Sequence, residues 1–187
     1  MISPTPIPVD QPYGSERECS SSAPFAVILS CDGLLLDTGE LNTVAYREAT
    51  EALVGDSMTE AEIEDTVGVR AVDYAARVRR RYDIDVTDEE FQRLVGERYR
   101  IQAFDHSVRA FQGVGELLDD LRTQRIPYAL ATSAPLWKVQ HNLEEAGVAD
   151  YFSVIVTGDD VARGKPGPDV FLESAHRLGI EPSHCIA

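Results

Sequence analysis

The sequence predicts an α/β fold: a doubly wound parallel sheet with a block of α-helices inserted after its first strand. Three observations carry this prediction. Short apolar runs of strand length recur and end in polar residues. From Gly113 onward they alternate with amphipathic helical segments, the pattern of βα units. Between the first apolar run and that alternation lies a long stretch of good helix formers with no convincing strand.

The first strand is Phe25-Ala-Val-Ile-Leu-Ser30, which runs into Cys31-Asp32-Gly33. The helical block spans residues 40–109. Leu41, Val44, Ala45, Ala49 and Leu53 recur at helical spacing. Thr59-x-x-Glu62 and Thr87-x-x-Glu90 have the form of capping boxes. Val114 to Arg125 is read as an amphipathic helix, Pro127 to Thr132 as a strand, and Pro135 as opening the next helix, which closes at Gly147. Phe152 to Thr157 is a third strand, and Pro168 to Leu178 a helix stopped by Gly179. A last strand begins near Cys185 and is only three residues long at Ala187. Sheet strands usually run about five or six residues, so the chain is expected to be a C-terminal truncation of its domain.

Residues 1–24 differ in composition. They hold five of the ten prolines, Pro4, Pro6, Pro8, Pro12 and Pro24, and five serines. Such a segment buries too little to offset its ordering entropy, and it is expected to be a disordered tail. It has the pattern of neither a signal nor a transit peptide, so the expected compartment is the cytoplasm. The 187 residues carry 32 acidic and 17 basic side chains, a net charge of -15. That balance speaks against a nucleic-acid partner, and no apolar run is long enough to span a membrane. Cys19, Cys31 and Cys185 are too few and too scattered for a disulfide framework or a zinc site.

In open parallel sheets, ligands bind at the carboxyl ends of the strands. Three such places carry chemically useful residues: Ser30-Cys-Asp32-Gly, Thr132-Ser133, and Gly164-Lys165-Pro-Gly-Pro168-Asp169. A lysine, hydroxyls and a carboxylate converging on one crevice suit a phosphate. Asp37 is expected to fix the turn into the helical block. Asp159 and Asp160 are expected to be a solvated pair, and Arg79-Arg80-Arg81 a solvated helix face. Thr132 and Ser133 could also cap the helix at Pro135. Cys31 is expected to be a buried thiol on the far side of its strand.

The ordered set of Asp-Gly-x-x-x-Asp-Thr after a strand, Thr-Ser after a strand, and Gly-Lys-Pro-x-Pro-Asp resembles the haloacid dehalogenase (HAD) superfamily. The likeness covers about residues 25–187, nearest to the phosphatase and beta-phosphoglucomutase-like branch. It implies a Rossmann-type core of residues 25–39 and 110–187 and an α-helical cap of residues 40–109. It implies a Mg²⁺-dependent phosphomonoester hydrolase that acts on a small phosphorylated metabolite through an aspartyl-phosphate. Carried over by position, Ser30 stands at the nucleophile position, where the family has aspartate, and Asp32 is the general acid/base. Thr132 and Ser133 meet the phosphate, and Lys165 is the phosphate-neutralising lysine. The Asp32 backbone carbonyl is a metal ligand, and the other ligands, at position 30 and in a fourth, acidic motif, are missing from the 187 residues. Asn42 stands where mutase-like members carry histidine. Apart from the resemblance, Arg70, which follows Gly68 in the helical block, is a candidate substrate contact, with an ordinary helix-surface arginine as the alternative.

Serine is a poor stand-in for the attacking carboxylate, and the sequence places no histidine or lysine beside it to activate its hydroxyl. Magnesium is therefore expected to bind weakly or not at all. Two readings of different class follow: an impaired phosphatase, or a non-catalytic relative that binds a phosphorylated ligand or a partner. A sugar phosphomutase is a third.

Overall fold

A computed structural model of the chain describes residues 25–56 and 58–187. The expected tail, with Cys19, lies outside the described residues. The order of elements is β1 (Ala26–Leu29), α1 (Gly39–Val54), α2 (Glu60–Glu64), α3 (Ala71–Tyr82), α4 (Asp88–Asp105), α5 (Val114–Thr123), β2 (Tyr128–Ala131), α6 (Leu136–Glu145), β3 (Ile155–Val156), α7 (Asp169–Leu178) and β4 (Cys185–Ile186). The strands form one parallel sheet in the order β3-β2-β1-β4. The predicted α/β architecture is the observed one.

The strands are apolar throughout because both faces of the sheet are covered. Leu29 and Leu130 pack on one side with Val114, Leu118 and Leu121 of α5 and Val139 and Leu143 of α6. Ile28, Ala131 and Val156 face the other way, onto Val170 and Ala175 of α7. Neighbouring residues of one strand thus serve opposite layers, as the two-residue period of a strand requires. The short β4 pairs with the first half of β1, Ala26 opposite Cys185 and Val27 opposite Ile186.

Helices α1 to α4 lie between β1 and β2 in the chain, and no strand occurs among the described residues of that block. Its interior is built on Tyr46, Tyr74 and Phe91, whose rings meet at 5.5–6.2 Å. Thr59 forms the full capping box expected of it. At α4 the Thr87 hydroxyl accepts from the Glu90 N–H, which is half of the expected box. Pro135 and Pro168 stand one residue before their helices rather than inside the first turn. No described helix is long and apolar enough to cross a membrane.

The helical block is tied to the sheet domain by specific contacts. Arg70, just ahead of α3, donates to the carbonyls of Gly158, Val161 and Ala162 at 3.0–3.1 Å, and its Nε pairs with Asp73 at 2.6 Å. The Tyr99 and Asn142 side chains hydrogen-bond across the boundary, and the Arg100 guanidinium lies 3.8 Å from the Trp137 ring centroid.

Candidate active site

The carboxyl ends of β1 and β2 open into a cavity of about 620 Å³ roofed by α1, the 66–72 segment and α4. Ser30, Asp32, Arg70, Thr132, Ser133 and Lys165 all line it. The topology explains why: β1 and β2 are neighbours in the sheet, so residues a hundred positions apart leave the sheet side by side.

Asp32 sits at the foot of α1. Its Oδ1 accepts from the Thr38 hydroxyl at 2.5 Å and from Asn42 Nδ2 at 3.3 Å, and it stands 3.6 Å from Lys138 Nζ. Burial would raise the carboxyl pKa, but Lys138 and the hydrogen bonds from Thr38 and Asn42 outweigh it and hold Asp32 below its ordinary range. Asp32 is therefore a carboxylate at neutral pH, able to accept a proton. Lys138 is almost wholly buried. Its ammonium donates to Asn42 Oδ1 at 2.5 Å and lies 4.2 Å from the Tyr99 ring centroid. Nothing in the sequence singles out Lys138. A lysine in the first turn of an amphipathic helix looks like a solvent-facing residue, and only the packing of the helical block over α6 buries it.

Lys165 Nζ donates to Ser30 Oγ at 2.9 Å and to the Ala131 carbonyl at 3.3 Å. A lysine therefore stands beside Ser30, though as a donor to its oxygen. The contact spans 135 residues and is made only when the loop before α7 folds back over the strand ends. Desolvation lowers the Lys165 pKa, while nearby Asp32 works the other way. As an ammonium donor Lys165 holds the serine oxygen and does not take its proton.

Thr132 is buried and accepts the Ala134 N–H at 3.1 Å, so it does not cap α6. That role falls to Asp159, whose Oδ2 accepts from the Leu136 N–H at 2.8 Å. Asp160 accepts from the Thr157 N–H and hydroxyl and pairs with Arg177 at 2.7 Å. Both residues are exposed, as expected of a solvated pair, and each carboxylate also holds a protein partner. Ser133 Oγ is shielded from solvent and has no hydrogen-bond partner. Gly158 lets the loop after β3 approach this segment: a Cβ there would stand 2.4 Å from the Ser133 carbonyl oxygen. Asp37 is exposed, and its N–H donates to the Arg109 carbonyl, closing the turn into α1. The Cys31 thiol is buried against the core with a pKa pushed up to about 12 by burial and by Asp32, so it is no thiolate. Arg79 pairs with Asp88 and Arg81 with Glu62 on the outer side of the helical block.

The residues present do not fit a magnesium ion. Mg²⁺ requires hard anionic oxygens. Position 30 offers a hydroxyl already held by an ammonium, and the Asp32 carboxylate is shared among Thr38, Asn42 and Lys138. No group of three or more His, Cys, Asp or Glu side chains suited to a metal occurs among the described residues.

Residues 27–187 match the family of haloacid dehalogenase-like hydrolases. The chain belongs to that family. A phosphorylated carbohydrates phosphatase from Thermotoga maritima is 32% identical over 161 residues, which cover 86% of this chain and 74% of the relative. The solved structure of a hydrolase from Pseudomonas syringae is 28% identical with a TM-score of 0.75, over 86% of this chain and 74% of that one. A beta-phosphoglucomutase from Clostridium difficile has the same fold, with a TM-score of 0.75 at 24% identity, over 87% of this chain and 74% of the other.

Proposed function

We propose that the cavity receives the phosphoryl group of a small phosphorylated metabolite, and that the chain is a phosphomonoester hydrolase by descent whose own turnover is impaired. One observation carries this reading. Lys165, Thr132, Ser133 and Asp32, drawn from three separate segments, line a single crevice at the carboxyl ends of β1 and β2. The relative that acts on phosphorylated carbohydrates supports the substrate class. On this reading residues 40–109 are a cap over a core of residues 25–39 and 110–187. Arg70 then fastens the cap to the 158–162 loop, and the enclosed volume excludes bulk water from the bound group.

The roles follow from chemistry. Lys165 offsets the charge of the phosphoryl oxygens and the two hydroxyls donate to them. Asp32, ionised by its neighbours, accepts a proton from an incoming hydroxyl or water. The attacking carboxylate of the aspartyl-phosphate route is replaced by the Ser30 hydroxyl, which has a far higher intrinsic pKa and no base holding its proton. Hydrolysis of p-nitrophenyl phosphate is therefore expected to run at least about 10⁴-fold below that of the Thermotoga relative assayed beside it, with or without Mg²⁺. Robust turnover by the unaltered chain would overturn the impairment.

The second reading, a non-catalytic phosphoryl-ligand or partner-binding relative, is favoured by the same Ser30–Lys165 contact. The phosphomutase reading has less support. Asn42 stands between Asp32 and Lys138 as an amide that neither gains nor loses a proton.

A further inference from the structure

The groups that face the crevice are almost all proton donors. Lys165 donates to Ser30 Oγ, so the serine oxygen uses a lone pair there and its own O–H stays available. Thr132 Oγ1 likewise accepts from the Ala134 N–H, which leaves its proton to give. Ser133 Oγ is shielded and unpartnered. Among the described residues no carboxylate lies within ion-pair distance of Lys165, whereas Asp32 already has its counter-charge in Lys138. Asp159, the other acid on the wall, caps α6. Arg70 is engaged by Asp73 and three carbonyls.

We infer that this crevice binds a phosphoryl dianion without a divalent metal, through the Lys165 ammonium and the hydroxyls of Ser30, Thr132 and Ser133. The inference rests on the reading that a phosphoryl group enters here, and goes beyond it by removing the metal from recognition. A carboxylate at position 30 would lie on Lys165, cancel its charge and repel the ligand's oxygens unless a cation joined them. The hydroxyl at 30 does none of this. It leaves the lysine's charge to the ligand and adds a neutral donor beside it.

Calorimetric titration of the full chain with inorganic phosphate tests this, once in EDTA and once in excess Mg²⁺. The expected dissociation constants agree within about twofold. Loss of the charge-assisted contact in Lys165→Ala is expected to weaken binding about ten- to a hundredfold. Lys165→Gln, which keeps a donor to Ser30 but no charge, should do nearly the same and guards against a folding defect in the alanine variant. Ser30→Asp is expected to weaken phosphate binding in EDTA by at least about tenfold. Binding that needs Mg²⁺ would overturn the inference and leave the phosphoryl reading standing. No binding under either condition, by a chain with native near-ultraviolet circular dichroism, would overturn both. Equal binding in EDTA by the wild type and Ser30→Asp, or by the wild type and Lys165→Gln, would also overturn the inference.

Discussion

Lys138→Met is expected to lower stability by about 2–3 kcal/mol at neutral pH, a large loss for a domain of this size. Methionine keeps the length of the stem and its packing on Tyr99 but removes the ammonium. That leaves the Asp32 carboxylate and the Asn42 amide oxygen without their charged partner. Breaking a fully buried pair typically costs about 3–5 kcal/mol. The Asp32 side chain is 28% exposed to the cavity, which places the expectation below that range. The loss has a pH signature. Asp32 has a lowered pKa in the native chain, so its contribution is fully present above the unfolded carboxyl value of about 3.9. It is lost as pH falls through the lower native value. Without Lys138 the native value moves up, so the deficit is large at pH 7 and shrinks as both forms become protonated. Urea unfolding of both proteins at pH 7 and in the acid range measures it. An equal deficit at every pH would mean that the lysine acts by packing alone.

Phe91→Ala is expected to cost about 3–5 kcal/mol and to loosen the whole helical block. Phe91 is fully buried, and its ring stands 6.2 Å from that of Tyr46 and 6.0 Å from that of Tyr74. Removing it leaves a cavity at the centre of the only aromatic cluster found in that block among the described residues. The consequence reaches the site, because the Tyr46 hydroxyl holds the Val69 carbonyl at 3.0 Å, next to Arg70. Thermal unfolding should show the lost stability, and amide exchange should quicken in α3 and α4 before it does in the sheet. A loss under about 1 kcal/mol would show that the block repacks around the gap.

Much of the fold was legible because its strands are short apolar runs punctuated by Gly and Pro, and because the helices carry their own start and stop signals. Gly147 and Gly179 adopt the left-handed conformation, as the helix-end reading required. The first two strands are one residue shorter at each end than their sequence runs suggest, and the run 152–157 keeps only Ile155–Val156 as strand. At the site, the residues with local signatures, Asp32, Thr132 and Lys165, could be named from the sequence. Those defined by partners could not. Lys138 is drawn into the site by a helical block distant in sequence, and the Ser30–Lys165 contact spans 135 residues. Asp159 is committed to an N–H of α6 that no local pattern connects to it.

The central claim is that a phosphoryl group sits at the carboxyl ends of β1 and β2 against Lys165. Titrating the ¹⁵N-labelled full chain with inorganic phosphate, and mapping which backbone amides shift, tests it most directly. The account predicts saturable shifts concentrated at residues 30–33, 132–134 and 164–165. The outer side of the helical block, where Arg77, Arg80 and Arg81 cluster, should remain still. Shifts confined to that arginine cluster, with the strand ends unmoved, would contradict the claim.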